Sequence, residues 1–202
     1  MPTMEKSYRI NEIFYSLQGE GRHTGRAAVF IRFSGCNLKC PFCDTDFDDY
    51  TEMTAMQIIE SVKKWNRCGF IVLTGGEPSL QADELLVSAL QQEGFYVAIE
   101  TNGTRPLPCN INWVTISPKT PFINCAPALA KVRADEVKVV FDGIHDPAPY
   151  VTLYGEAYLS LQPCDTGDAE RNSELTRQCI DYIKRNPHWH LSLQMHKMVN
   201  IK

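Results

Sequence analysis

Cys36, Cys40 and Cys43 fall in the run Cys36-Asn37-Leu38-Lys39-Cys40-Pro41-Phe42-Cys43, a CxxxCxxC array. Three thiolates on one short loop suit a soft metal centre. Structural zinc takes four ligands, and no fourth cysteine or histidine stands at short spacing; the nearest upstream histidine is His23. A cubane has four irons, so three cysteines holding a [4Fe-4S] cluster leave one iron open to a small molecule. A zinc knuckle completed by a distant residue is the alternative that the spacing leaves open. A core role fits poorly, because Asn37, Lys39 and Asp44 make the loop polar.

The whole chain is consistent with an intracellular metal site. It has 202 residues, read as one domain over 1–202 that needs no disulfide to build a core. Three of its eight cysteines crowd into the loop and the rest are scattered, which in a reducing compartment signals metal rather than disulfides. The net charge of −4 argues against a broad nucleic-acid or membrane surface. No apolar run approaches the ~20 residues that span a bilayer, and residues 1–9 carry no signal-peptide pattern. A cytoplasmic protein with no nucleic-acid or membrane partner is expected.

The elements that must position the loop alternate. Apolar runs predict strands at Ala27–Phe33, Phe70–Leu73, Tyr96–Ile99, Trp113–Ile116, Glu136–Val140, Ala157–Leu161 and His190–Leu193. Helical spacing predicts Thr54–Trp65, with a capping box between Thr54 and Gln57, then Asp83–Gln92 with Gly94 beyond its end, and Ser173–Lys184. The stretch from Ile99 to Trp113 contains Pro106 and Pro108 and is too irregular for a helix. Such alternation predicts an α/β fold with a mostly parallel sheet covered by helices.

The polar motifs sit just after the strands. The cysteine loop follows the first; Thr74-Gly75-Gly76-Glu77-Pro78 the second; Glu100-Thr101-Asn102-Gly103 the third; Ser117-Pro118-Lys119 the fourth. Gln162-Pro163-Cys164-Asp165 and Gln194-Met195-His196-Lys197 follow later ones. Parallel strands point one way, so these motifs should meet at one rim, the C-terminal edge where α/β folds place their chemistry.

The cysteine array with an aromatic before its last cysteine, followed by the Thr74–Pro78 segment, resembles the radical S-adenosylmethionine (SAM) superfamily. A narrower resemblance is to the 7-carboxy-7-deazaguanine synthases. It rests on Tyr15-Ser16-Leu17-Gln18-Gly19-Glu20-Gly21, on Arg32 four residues before Cys36, on Cys43-Asp44-Thr45, and on the three later motifs. It covers nearly the whole chain.

That resemblance implies a modified, incomplete (β/α) barrel that forms homodimers. It implies ring contraction of 6-carboxy-5,6,7,8-tetrahydropterin to 7-carboxy-7-deazaguanine with loss of ammonia, which supplies 7-deazapurines such as queuosine. A reduced [4Fe-4S] cluster would cleave SAM to a 5'-deoxyadenosyl radical that takes a hydrogen from the pterin and later returns it. Mg2+ and an electron donor such as flavodoxin or ferredoxin are implied as well.

The same resemblance assigns roles. Cys36, Cys40 and Cys43 ligate the cluster, and Gly76 approaches the methionine end of SAM. Phe42, Cys43 and Asp44 lie at positions that touch its adenosyl portion. Ser117, Pro118, Lys119, Gln162, Pro163, Cys164 and Asp165 match further cofactor contacts, and Glu100 would meet the ribose or amine. Leu17, Gln18 and Gly19 would read the polar edge of the pterin, Thr74 would touch it, and Thr45 would ligate Mg2+. Arg32 would pair with the substrate carboxylate, since its planar fork suits bidentate binding and an arginine inside an apolar strand is costly unless paired. No catalytic side chain is expected beyond the cofactors, His196 apart.

Plainer readings stand beside these. Ser117-Pro118-Lys119 alone is a strand-ending turn, Thr45 alone could cap a turn, acidic residues such as Glu100 are common at strand ends, and a lone histidine is usually structural. Two other functions remain open on the residues: an activase that makes a glycyl radical on a partner protein, and a zinc-binding module without catalysis.

Overall fold

A computed structural model describes residues 6–43, 45–46, 48–123 and 132–202. Among the described residues, nine strands form one sheet: β1 (Ser7–Leu17), β2 (Ala27–Phe33), β3 (Thr51–Thr54), β4 (Phe70–Gly75), β5 (Tyr96–Thr101), β6 (Trp113–Ile116), β7 (Glu136–Phe141), β8 (Tyr158–Pro163) and β9 (Trp189–Leu191). Their order is β3-β1-β2-β4-β5-β6-β7-β8-β9. From β2 to β9 every pairing is parallel, whereas β1 runs antiparallel to both β2 and β3. The edge strands β3 and β9 do not meet, so the sheet is an open, incomplete barrel.

The helices are α1 (Ala55–Val62), α2 (Glu84–Gln92), α3 (Ala148–Tyr154), α4 (Ala169–Arg185) and the short α5 (Met195–Met198). The expected capping box is present: the Thr54 hydroxyl accepts from Gln57 N, and Gln57 Oε1 accepts from Thr54 N. The predicted helix runs on to Trp65 as a 3-10 turn. Asp83 caps α2 through Leu86 N, and Gly94 sits beyond its end with φ +88°. None of the described helices is long and apolar enough to cross a membrane.

Register decides which residues face the helices. Val29, Ile71 and Val97 lie side by side, as do Ile31, Leu73, Ile99 and Val114. Ile116, Val137 and Leu159 form a further row on the same face, and Val139 pairs with Leu161. These residues are buried beneath Ile58 and Val62 of α1, Leu86, Val87 and Leu90 of α2, and Leu175 and Cys179 of α4. Burying each such aliphatic side chain contributes roughly 1.5–3 kcal/mol.

Side chains alternate along a strand, so the other face carries Arg32, Thr74, Glu100, Lys138 and Gln162. This inner face is polar toward the C-terminal ends of the strands, and the chain between β1 and β2 closes its more apolar lower end. His23 packs edge-on against Phe70 and Trp113, and Arg22 N donates to the buried Glu136 carboxylate.

The sequence reading missed β1, β3, α3 and α5. β1 reads SYRINEIFYSL, with a register shift between Ile10 and Glu12. That bulge breaks the period-2 signature of a half-buried strand.

Candidate active site

The strand-end motifs surround one cavity of about 590 Å3 at the C-terminal edge of the sheet, within the range of small-molecule sites. Phe42, Cys43, Gly76, Glu100, Ser117 and Lys119 line it, as do Gln162, Pro163, Cys164 and Asp165. Leu17, Gln18, Gly19, Arg32 and Thr74 form another part of its wall, together with Cys36, Cys40, Thr45 and His196. Pro118 is buried and does not line it. Asp44 lies outside the described residues.

The cysteine loop leaves β2 and is held from below by the next two strand ends. Gly76 N donates to Phe33 O (3.0 Å) and Glu77 N to Gly35 O (2.8 Å). A Cβ on Gly76 would lie 2.1 Å from Gly35 O, and one on Gly75, whose φ is +125°, 2.2 Å from Phe33 O. Both glycines are therefore required by backbone packing against the loop. Glu77, 1% exposed, accepts from Thr101 Oγ1 (2.6 Å), Asn102 N (2.7 Å) and Ser79 N (2.9 Å). Asn102 Nδ2 in turn donates to Asn37 Oδ1. The Gly-Gly-Glu-Pro and Glu-Thr-Asn-Gly motifs thus form one support for the cysteines.

The three thiols are unpaired; Cys43 is exposed and the other two half-buried. Burial pushes the Cys36 thiol up, with smaller contributions from Glu77, Cys40 and Cys43. Burial raises Cys40 too, as does Cys43, against Lys119. All three thiols line the same cavity, and binding to a positive metal centre would release their protons and hold them as thiolates. This donor set fits a [4Fe-4S] cluster.

Arg32 does not stand alone. Its Nε donates to Glu12 Oε1 at 2.9 Å, and Lys202 Nζ pairs with the other Glu12 oxygen. Burial raises the Glu12 carboxyl, but hydrogen bonds from Lys202 and Arg32 outweigh it and hold it low. The ring of His196 covers Gly19, where a Cβ would lie 2.2 Å from Nδ1. The oxygens of Asp165 are taken by Lys197, Asn172 and Gly167 N, and the Lys197 bond first among these holds its pKa down at about 2. Its side chain ties the β8–α4 loop. Phe42 meets Phe122 edge-on, and Lys119 Nζ donates to Ser117 Oγ at 2.6 Å.

Glu20 and Lys138 belong to the same cavity and were not anticipated. Lys138 Nζ bonds Glu20 Oε2 and lies 3.3 Å from Glu100 Oε2. The cue was available: Lys138 interrupts an apolar strand, as Arg32 does, and the argument that singled out Arg32 applies to it. Glu12 carried no comparable signal, because β1 was not recognised as a strand.

An open, mostly parallel sheet carrying a CxxxCxxC loop at its C-terminal edge defines the radical SAM class, and the family model for the radical SAM superfamily matches residues 30–149. Within that class, the chain belongs to the family of 7-carboxy-7-deazaguanine synthases. It is 52% identical to the 7-carboxy-7-deazaguanine synthase of Bacteroides thetaiotaomicron, over 96% of this chain and 98% of the relative. It is 39% identical to that of Bradyrhizobium diazoefficiens, over 97% and 100%. The crystal structure of QueE from Escherichia coli superposes with a TM-score of 0.80 at 29% identity, covering 94% of this chain and 95% of that one.

Proposed function

We propose that this chain, working as one radical SAM domain, converts 6-carboxy-5,6,7,8-tetrahydropterin to 7-carboxy-7-deazaguanine with loss of ammonia, in 7-deazapurine biosynthesis. The observation that carries this reading is the single cavity joining the cysteine loop to Arg32 and to the Leu17–Gly19 wall, in a chain whose relatives bear that enzyme's name over nearly their full length. The activase and zinc-module alternatives are not favoured by these relatives.

Cys36, Cys40 and Cys43 would hold the cluster, and Gly76 and the Ser117–Lys119 and Gln162–Asp165 segments would hold SAM. When bound, these cofactors supply the electron and the hydrogen-abstracting radical. The chain's own residues do the rest. Arg32 has donors beyond the Nε given to Glu12 and would orient the substrate carboxylate. Gln18, Gly19 and Thr74 would set the ring. A one-electron carrier such as flavodoxin or ferredoxin would reduce the cluster. Unpaired cysteines among the described residues suit the cytoplasm. The homodimer is carried over from the family.

Thr45 lines the cavity beside Asp46. One hydroxyl is a weak ligand for Mg2+, which wants six oxygens, so substrate oxygens and water would complete the shell. Thr45→Ala is expected to raise the magnesium concentration needed for half-maximal activity several-fold while iron content stays intact. An unchanged magnesium response would remove Thr45 from this role.

The deciding experiment is anaerobic turnover with SAM, a strong reductant and the carboxylated pterin, with product identified by mass. Cluster-loaded protein that cleaves SAM but makes no deazaguanine would overturn the proposed reaction.

A further inference from the structure

We propose that Lys138 is a positioning residue of this site: its ammonium bridges Glu20 and Glu100 so that both carboxylates stand on the cavity floor as acceptors for the N–H edge of the substrate's aminopyrimidine ring. This rests on the reading of a carboxylated pterin as substrate.

Lys138 lies on the inner face of β7, its side chain 5% exposed. Its Nζ bonds Glu20 Oε2 and approaches Glu100 Oε2 at 3.3 Å. The far oxygens are fixed as well. Gln194 Nε2 donates to Glu20 Oε1 at 3.0 Å, and Gln18 Nε2 to Glu100 Oε1 at 2.8 Å. Glu20 comes from the β1–β2 connection, Glu100 from β5 and Gln194 from the chain before α5. Glu20 and Glu100 therefore converge on one ammonium from separate parts of the chain, and Gln194 braces Glu20 from a third.

An ionised carboxylate offers about four lone-pair positions, and these contacts fill two on each. About two remain on each carboxylate, and both carboxylates line the cavity. Two carboxylates with one ammonium leave a net negative charge. That floor suits a heterocycle edge rich in N–H donors and repels a carboxylate. Arg32, paired with Glu12, lines the same cavity. The floor and Arg32 together thus give the ring one orientation, with its N–H edge toward Glu20 and Glu100 and its carboxylate toward Arg32.

The charges that face Lys138 come from every side: Glu20 and Glu100, Glu136 on its own strand, and Lys119 beyond β6. His196 acts on Glu20 from α5. Burial works against the ammonium, but Glu100, Glu20 and Glu136 outweigh it and raise its pKa. Burial likewise raises the Glu20 carboxyl, and Lys138 outweighs it, holding it at about 2. Without the ammonium, the two neighbouring carboxylates would repel each other, and Glu20 would take up a proton more readily. Protonation removes the acceptor, so activity would be lost sooner as pH falls.

Lys138→Met holoenzyme, matched to wild type in iron content, tests this in the anaerobic assay. The KM for the pterin is expected to rise at least tenfold with a smaller fall in kcat. The acid limb of kcat/KM should move upward by about one pH unit or more. Lys138→Arg should recover much of both. An unchanged pterin KM and acid limb, a change confined to the KM for SAM, or a Lys138→Arg enzyme as impaired as Lys138→Met would each overturn the proposal. Should Lys138→Met fail to fold, Glu20→Gln keeps the shape and removes one acceptor set; an unchanged pterin KM there overturns it equally. Wild-type enzyme that makes no deazaguanine would instead sink the reaction assignment, and the wild-type arm shows this separately.

Discussion

Cys40→Ser is expected to lower deazaguanine formation by at least about a thousand-fold, roughly 4 kcal/mol of barrier, with loss of the iron-sulfur absorption. The middle cysteine has no substitute among its described neighbours: Cys36 and Cys43 would already be engaged in holding the cluster, and the adjacent Lys119 is a cation. A serine hydroxyl does not ionise near neutral pH and does not replace a thiolate toward a soft metal. A cubane left with two protein ligands loses its anchor and its single open iron together. Cys109→Ser is the control, because Cys109 is exposed and contacts Glu84 away from the cavity; it should retain turnover. A Cys40→Ser protein with full iron content and normal SAM cleavage would dismiss the proposed cluster site.

Gly76→Ala is expected to cost at least about a hundred-fold in turnover, near 2.7 kcal/mol, and to lower cluster occupancy. The new methyl would stand 2.1 Å from Gly35 O and 2.5 Å from Gly35 C. These are backbone atoms that cannot swing aside as a side chain would. Relief requires the Gly35–Cys36 segment to move, which breaks the 2.8 Å bond from Glu77 N to Gly35 O and displaces the first cysteine. Gly94→Ala separates this effect from glycine loss in general. Gly94 has φ +88° but no neighbour within 4 Å of a Cβ, so that change should cost roughly 1–2 kcal/mol of stability and leave turnover unaltered. Measured iron per chain and thermal melting distinguish the two. Normal cluster loading in Gly76→Ala would show that the loop tolerates displacement.

The sequence by itself determined the centre of the chemistry and the edge on which it lies. Cys36, Cys40 and Cys43 fall within eight residues of one loop, close enough to hold one cluster, and that spacing is written in the chain. The strands from Ala27 onward were legible because parallel strands packed under helices are apolar runs, and the motifs that follow them had to gather at one edge once the strands ran parallel. β1 was not legible: its bulge broke the alternation, and the partners that bury it, β2 and β3, come later in the chain.

Tertiary structure alone decided which charges meet. Lys138 and Glu20 stand 118 residues apart, and Glu77 reaches 24 and 25 residues forward to Thr101 and Asn102. Arg32 is held by Glu12, which Lys202 also pairs, a contact that its place in an apolar strand did not reveal. Such contacts depend on register across the sheet, where a slip of one residue turns every side chain to the opposite face. No local window of sequence carries that information, because only the assembled sheet fixes it.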